Sequence, residues 1–178
     1  MAYERIEPAS ITDNVFHLIG NDWMLVTAAR DTDGLVGGKD WNTMTASWGG
    51  LGVLWAKPAA FVFVRPQRHT FGFIEEADRL TLSFFDESYR DALRFCGTKS
   101  GRDYDKAAAC SLTPVTDRNE VGRALWFEEA RLVLVTRKLY GSFLREDGFT
   151  AAPGSTYYPA GDYHKMYVCE IESVLRRV

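Results

Sequence analysis

The chain has no apolar run of the roughly 18 to 20 residues needed to cross a bilayer, and its first residues, MAYERIEPAS, lack the apolar core of a secretory leader. A cytoplasmic protein with no membrane partner is the expectation. Cysteine is scarce: Cys96, Cys110 and Cys169 are odd in number, far apart and without the CxxC spacing of a zinc site, so reduced, mostly buried thiols are expected. Positive charge is not in excess either. With 21 Lys and Arg against 24 Asp and Glu, the net charge of -3 argues against nucleic acid as a partner while leaving room for a local basic pocket. No repeat, low-complexity tract or linker interrupts the 178 residues, so residues 1–178 read as one domain, large enough to bury a core without disulfides or a structural metal.

What is present is β-rich. WMLVTAAR, TMTASW, AAFVFVR, RLTLSFF, ALWFEEARLVLVTRKL and KMYVCEIESV are dense in β-branched and aromatic residues and mostly separated by Gly, Pro or Asp, which predicts strands. Near the start, PASITDNVFHLIGND predicts one short helix, with Thr12 or Asp13 as cap and Gly20 as stop. HTFGFIEEAD and ESYRDALRFCG also read as helices, the second ending at Gly97 as its cap, and RDYDKAAAC offers a further short one. Strands with inserted helices, without regular alternation, predict a mainly β fold: an antiparallel sheet or barrel with helices packed outside. TAAPGSTYYPAGD is the one long loop.

The stretch NTMTASWGGLGVLWAKP concentrates unusual chemistry. On a strand Thr43, Thr45 and Ser47 share one face and Met44 and Ala46 the other, so either face could line a pocket. Gly49, Gly50 and Gly52 follow; they suit a sharp turn beside two core tryptophans, or a close approach to a ligand. In FVRPQRHTFGF, Arg65, Gln67, Arg68 and Thr70 stand beside a helix start. Guanidinium forks, an amide and a hydroxyl there suit a phosphate, or else form an ordinary solvated loop. CGTKSGRDYDK repeats the style with Ser100, Gly101, Arg102 and Lys106.

In this order and spacing, NTMTASWGGLGVLWAKP, VFVRPQRHTFGFI, LTLSFF, CGTKSGRDYDK and GDYHKMYVCEI resemble the flavin reductase-like family, in its flavoredoxin-type branch, over about residues 20 to 173. The resemblance implies an FMN-binding split β-barrel, a homodimer with FMN in a cleft near the subunit interface. It implies that Asn42, Thr43, Met44, Thr45, Ala46, Ser47 and Trp48 run along the ring system. Arg65, Gln67, Arg68 and Thr70, with Ser100, Gly101, Arg102 and Lys106, would then hold the ribityl chain and phosphate. A flat ring needs a slot with backbone donors at its edge, and bulky side chains would close it.

GDYHKMY corresponds to a segment that places a histidine near the nicotinamide in many flavin reductases, but here Tyr163 intervenes before His164. A one-residue shift on an incipient strand turns a side chain to the other face. The resemblance makes His164 the candidate catalytic residue, and the shift favours the alternative of a satisfied loop histidine. The expected activity is an NAD(P)H:flavin reductase that moves hydride onto FMN and electrons onward to a protein acceptor or flavin-dependent enzyme. The alternative is a non-catalytic FMN electron carrier reduced by a protein partner.

Overall fold

The computed structural model describes residues 2–30, 37–117, 124–151 and 156–178. Its strands are β1 (Tyr3–Ile6), β2 (Met24–Ala29), β3 (Trp41–Ala46), β4 (Gly49–Leu54), β5 (Lys57–Val64), β6 (Arg79–Phe84), β7 (Pro114–Asp117), β8 (Ala124–Phe127), β9 (Leu132–Phe143) and β10 (Lys165–Arg177). The helices are α1 (Val15–His17), which continues as a wider turn over Leu18–Asp22, α2 (His69–Glu76), α3 (Arg90–Thr98) and α4 (Lys106–Cys110).

Eight strands form one antiparallel sheet in the order β3-β2-β6-β9-β10-β5-β4, with β1 paired to the end of β10; β7 and β8 make a separate ribbon. The sheet does not close. Its two edges, β3 and β4, are nevertheless consecutive in the chain, so Ser47 and Trp48 alone carry the backbone across the seam.

Alternation along the strands sends side chains to two apolar clusters. Inside the curve lie Met24, Val26, Met44, Ala46, Val62, Phe73, Leu82 and Leu134; outside it Leu25, Trp41, Phe85, Leu93, Cys96, Phe127 and Val133 pack with α3, α4 and the β7–β8 ribbon. Because β2, β6 and β9 are covered on both faces, their sequences read as nearly continuous apolar runs. Burying these chains is worth about 1.5 to 3 kcal/mol each for the large aliphatic and aromatic ones.

Several boundaries differ from expectation, each for a local reason. The first helix is capped by Asn14, whose side chain accepts from the backbone N–H of Phe16 and His17, and it runs through Gly20 to end at Trp23, whose φ is 67°. ALWFEEARLVLVTRKL is two strands, broken at Glu128–Arg131, where Ala130 N–H donates to the Phe127 carbonyl. The glycines 49, 50 and 52 do not turn; they are β4, and a Cβ on Gly49 would fall 2.7 Å from the Phe61 carbonyl oxygen of β5. The turn lies later, at Trp55 and Ala56, whose φ values of 52° and 57° make a two-residue hairpin of the type whose twist matches its strands. Gly97 is inside α3, which is capped by Lys99. In the long loop, residues 152–155 fall outside the described ones.

Candidate functional site

At the seam, where no ladder joins β3 to β4, the sheet leaves a cleft of about 210 Å³. One wall is the end of β3 and the crossing segment, Met44 to Trp48; the other is Phe63 and Arg65 from the end of β5 together with His164, and Arg68 and Gly97 close one end. The small side chains of Ala46 and Ser47 keep the wall flat. Gly97 is held small by packing, since a Cβ there would meet Thr45 Cβ at 3.3 Å.

Arg68 also lines a second cavity of about 110 Å³, bounded by the start of α2 at His69 and Thr70 and by Gln67, Lys99, Ser100, Arg102 and Lys106. This niche gathers cations. Arg79, Arg131, Arg137 and Lys165 elsewhere are all paired to carboxylates. Among the described residues no carboxylate pairs with Arg68, Lys99, Arg102 or Lys106. Arg68 donates to the Gly97 carbonyl at 2.7 Å, and Lys106 donates to the carbonyls of Thr43 and Cys96 at 2.8 and 2.9 Å. Two carbonyls leave the Lys106 ammonium one N–H unspent. Burial, with Arg68 nearby, lowers its pKa to about 8. Burial likewise lowers that of Arg68, and that of His69, where Arg102, Arg30 and Lys106 add to the effect. No side chain caps α2; Phe71 N–H donates to the Arg68 carbonyl at 2.9 Å, which leaves the N–H groups of His69 and Thr70 to face an anion.

The opposite end of the cleft is different in charge. Arg65 is bound to Asp162, which also accepts from Gln67 at 2.6 Å, and donates a further bond to the Tyr157 carbonyl at 2.9 Å. His164 is buried, its Nδ1 lies 2.8 Å from the Tyr158 hydroxyl, and its ring packs 5.2 Å from Trp48. Burial, with Arg65 adding to it and Asp162 opposing, lowers the His164 pKa to about 4, so the ring is neutral at ordinary pH.

The residues singled out in the sequence thus separate. Met44, Thr45, Ala46, Ser47, Trp48, Arg65 and His164 line the cleft; Gln67, Thr70, Ser100, Arg102 and Lys106 line the niche; Arg68 joins the two. Tyr163 does not turn His164 away. It is Tyr163 that is displaced, onto Phe149 and Tyr158 at 5.8 and 5.0 Å. Asn42 and Thr43 line neither cavity. Thr43 Oγ1 lies 2.9 Å from that of Thr27, whereas Asn42 donates to Thr70 at 2.9 Å beneath the niche. Gly101 presses on that same amide, since a Cβ would fall 2.1 Å from Asn42 Oδ1. Arg65, expected with the phosphate, belongs to the cleft and is already paired. Phe63, Gly97, Lys99 and Tyr158 were not singled out. Of these only Lys99 carries a usable signal, a third cation in the Ser100 cluster; Gly97 reads as a helix cap and the others as core or loop residues.

An antiparallel barrel left open along one seam, with a cleft in that seam, is a split β-barrel. The chain belongs to the family described as the flavin reductase like domain, whose sequence pattern matches residues 16–177. None of the curated protein sequences matches it. Among solved structures it is similar to an FMN-binding domain of a flavin reductases-like enzyme from Shewanella baltica (14% identity, 98% of this chain and 77% of that one, TM-score 0.64). It is also similar to the flavoredoxin of Desulfovibrio vulgaris Miyazaki F (21% identity, 87% and 69%, TM-score 0.64). A third is an FMN-binding protein from Thermus thermophilus with bound p-hydroxybenzaldehyde (19% identity, 99% and 82%, TM-score 0.65). At these identities the likeness is one of fold. No helix among the described residues is long and apolar enough to cross a membrane.

Proposed function

We propose that the seam cleft and the cationic niche together hold FMN, and that the protein is an NAD(P)H-dependent flavin reductase. The observation that carries this is the pairing of a flat, small-walled slot with a niche of four cations that have no carboxylate partner among the described residues, joined through Arg68. The donor set fits a phosphate monoester: a guanidinium, an ammonium with one free N–H, hydroxyls at Thr70 and Ser100, and an uncapped helix start. When bound, FMN supplies a two-electron carrier that accepts hydride from a nicotinamide and releases electrons singly or in pairs.

The chain's own residues bind and orient. Arg68, Lys106, Lys99 and Arg102 neutralise the phosphate, and the end of β3 with Ser47 and Trp48 forms the wall for the ring. Trp48 and His164 at the cleft mouth would receive the nicotinamide, with His164 beside its carboxamide. Among the described residues no carboxylate lines the cleft; Asp162, close by, is bound through Oδ2 to Arg65 and Gln67. The reading therefore assigns the residues positioning rather than proton abstraction. A homodimer covering the exposed Tyr157 near the seam belongs to the same proposal.

Anaerobic mixing of the FMN-loaded protein with NADH or NADPH tests it. The flavin absorbance near 450 nm should bleach within seconds to minutes, a property of the cofactor. Flavin that stays yellow with both nicotinamides would instead support an electron carrier reduced by a protein partner.

A further inference from the structure

Tyr158 and His164 form a buried pair at the cleft mouth whose purpose the fold alone does not explain. The Tyr158 hydroxyl and His164 Nδ1 are 2.8 Å apart, and each has the other as its hydrogen-bond partner. The other ring nitrogen, Nε2, has no partner among the described residues, yet it is not among the sealed, unpartnered polar atoms. In a residue only 8% exposed that lines the cleft, its opening is to the cleft. Phe149 and Tyr163 pack on the Tyr158 ring at 5.9 and 5.0 Å, and Arg65 lies 5.2 Å from its centroid, so the phenol is held in place.

The direction of the bond follows from chemistry. A phenol is a strong donor and a modest acceptor, whereas an unprotonated imidazole nitrogen is a strong acceptor. If the imidazole donated, the phenolic proton would have no acceptor among the described residues. If the phenol donates, the hydroxyl and Nδ1 are both satisfied and the single ring proton sits on Nε2, facing the cleft.

Resting on the reductase reading, we propose that Tyr158 is a positioning residue. Its hydroxyl donates to His164 Nδ1 and thereby fixes Nε2–H as a donor into the cleft, for an uncharged carbonyl or primary-amide oxygen on the second substrate. Charge at this end supports an uncharged acceptor. The charged groups facing His164 are Arg65, just after β5, and Asp162 from the preceding loop, and they are bound to each other, so among the described residues no free cation awaits a carboxylate here. The niche cations Lys99, Arg102 and Lys106 lie on the far side of Arg68.

The test begins without any reductant. In ¹⁵N NMR of the histidine-labelled full chain with FMN, His164 should show an unprotonated Nδ1 and a protonated Nε2. Tyr158→Phe keeps the ring packing and removes the donor to the neutral imidazole. It should raise the His164 pKa by about one unit and move the acid limb of kcat/KM for the nicotinamide by the same amount, with FMN affinity unchanged. A nicotinic-acid analogue, carrying a carboxylate in place of the amide, should react at least about tenfold more slowly than the amide with the wild-type protein. A protonated Nδ1 in the wild type, an unchanged His164 pKa in Tyr158→Phe, or equal use of carboxylate and amide overturns the proposal. If neither nicotinamide is oxidised while the NMR result holds, the reductase reading fails and the Tyr158–His164 donor stands.

Discussion

Lys106 concentrates the tension on which the niche depends. It is 3% exposed, carries a charge, and is held only by two carbonyls and its own burial. Its pKa in the fold, about 8, lies below the 10.5 of a free lysine. A depressed pKa means that the folded chain gives up this proton first. The corresponding stability is present above the unfolded value and is lost as pH falls through about 8, so the empty protein is strained at neutral pH by its own cation. A bound phosphate relieves that strain by favouring the charged form. FMN affinity should therefore fall as pH rises through about 8, while riboflavin, without the phosphate, should show no such dependence. Fluorescence-quenching titrations of both ligands across this range check it; parallel curves would remove Lys106 from the phosphate site. Lys106→Ala is a poor substitute, because it also unpins β3 from α3. Arg68→Ala is cleaner: it should weaken FMN by about 1.5 to 3 kcal/mol and leave riboflavin nearly unaffected.

The elements around the site are spaced by backbone packed on backbone. Gly38, at φ 78°, would put a Cβ 2.5 Å from the Gly101 carbonyl, and Gly101 presses in turn on Asn42 of β3. Gly101→Ala forces the Asn42 amide aside and with it the bond to Thr70 at the start of α2. Overpacking of this kind typically costs about 1 to 3 kcal/mol. Thermal or urea unfolding should show that loss, together with weaker FMN binding; wild-type values for both would mean that the Ser100 loop is free to shift. Much of this level was legible in the sequence. The strand runs and α2, α3 and α4 follow from composition and alternation, and the cations of the niche stood out in FVRPQRHTFGF and CGTKSGRDYDK. What was not legible depended on distant partners. Gly49 looks like a turn until β5 lies against it, Thr43 looks like a ligand group until Thr27 pairs with it, and Tyr158 looks like a loop residue until His164 is found beside it.

For the molecule as a whole, the open seam explains why the site is where it is. A sheet whose edges are joined by two residues but no ladder has a gap that side chains must line, and the gap here leads directly to the cationic niche. Large apolar side chains also remain exposed: Val53 and Trp55 at the hairpin, Tyr140 and Phe143 on β9. Covering them is the work expected of a second copy. Light scattering should give twice the monomer mass at micromolar concentration, and a flavin-loaded monomer would contradict the proposed homodimer.

The central claim is that the seam cleft and its niche recognise a flavin that carries a phosphate. Calorimetric titration of the wild-type protein with FMN and with riboflavin at neutral pH tests it most directly. The account predicts FMN binding at least about tenfold tighter than riboflavin, roughly 1.4 kcal/mol or more, with the difference shrinking as salt is added. Equal affinities, or no binding of either flavin, would contradict it.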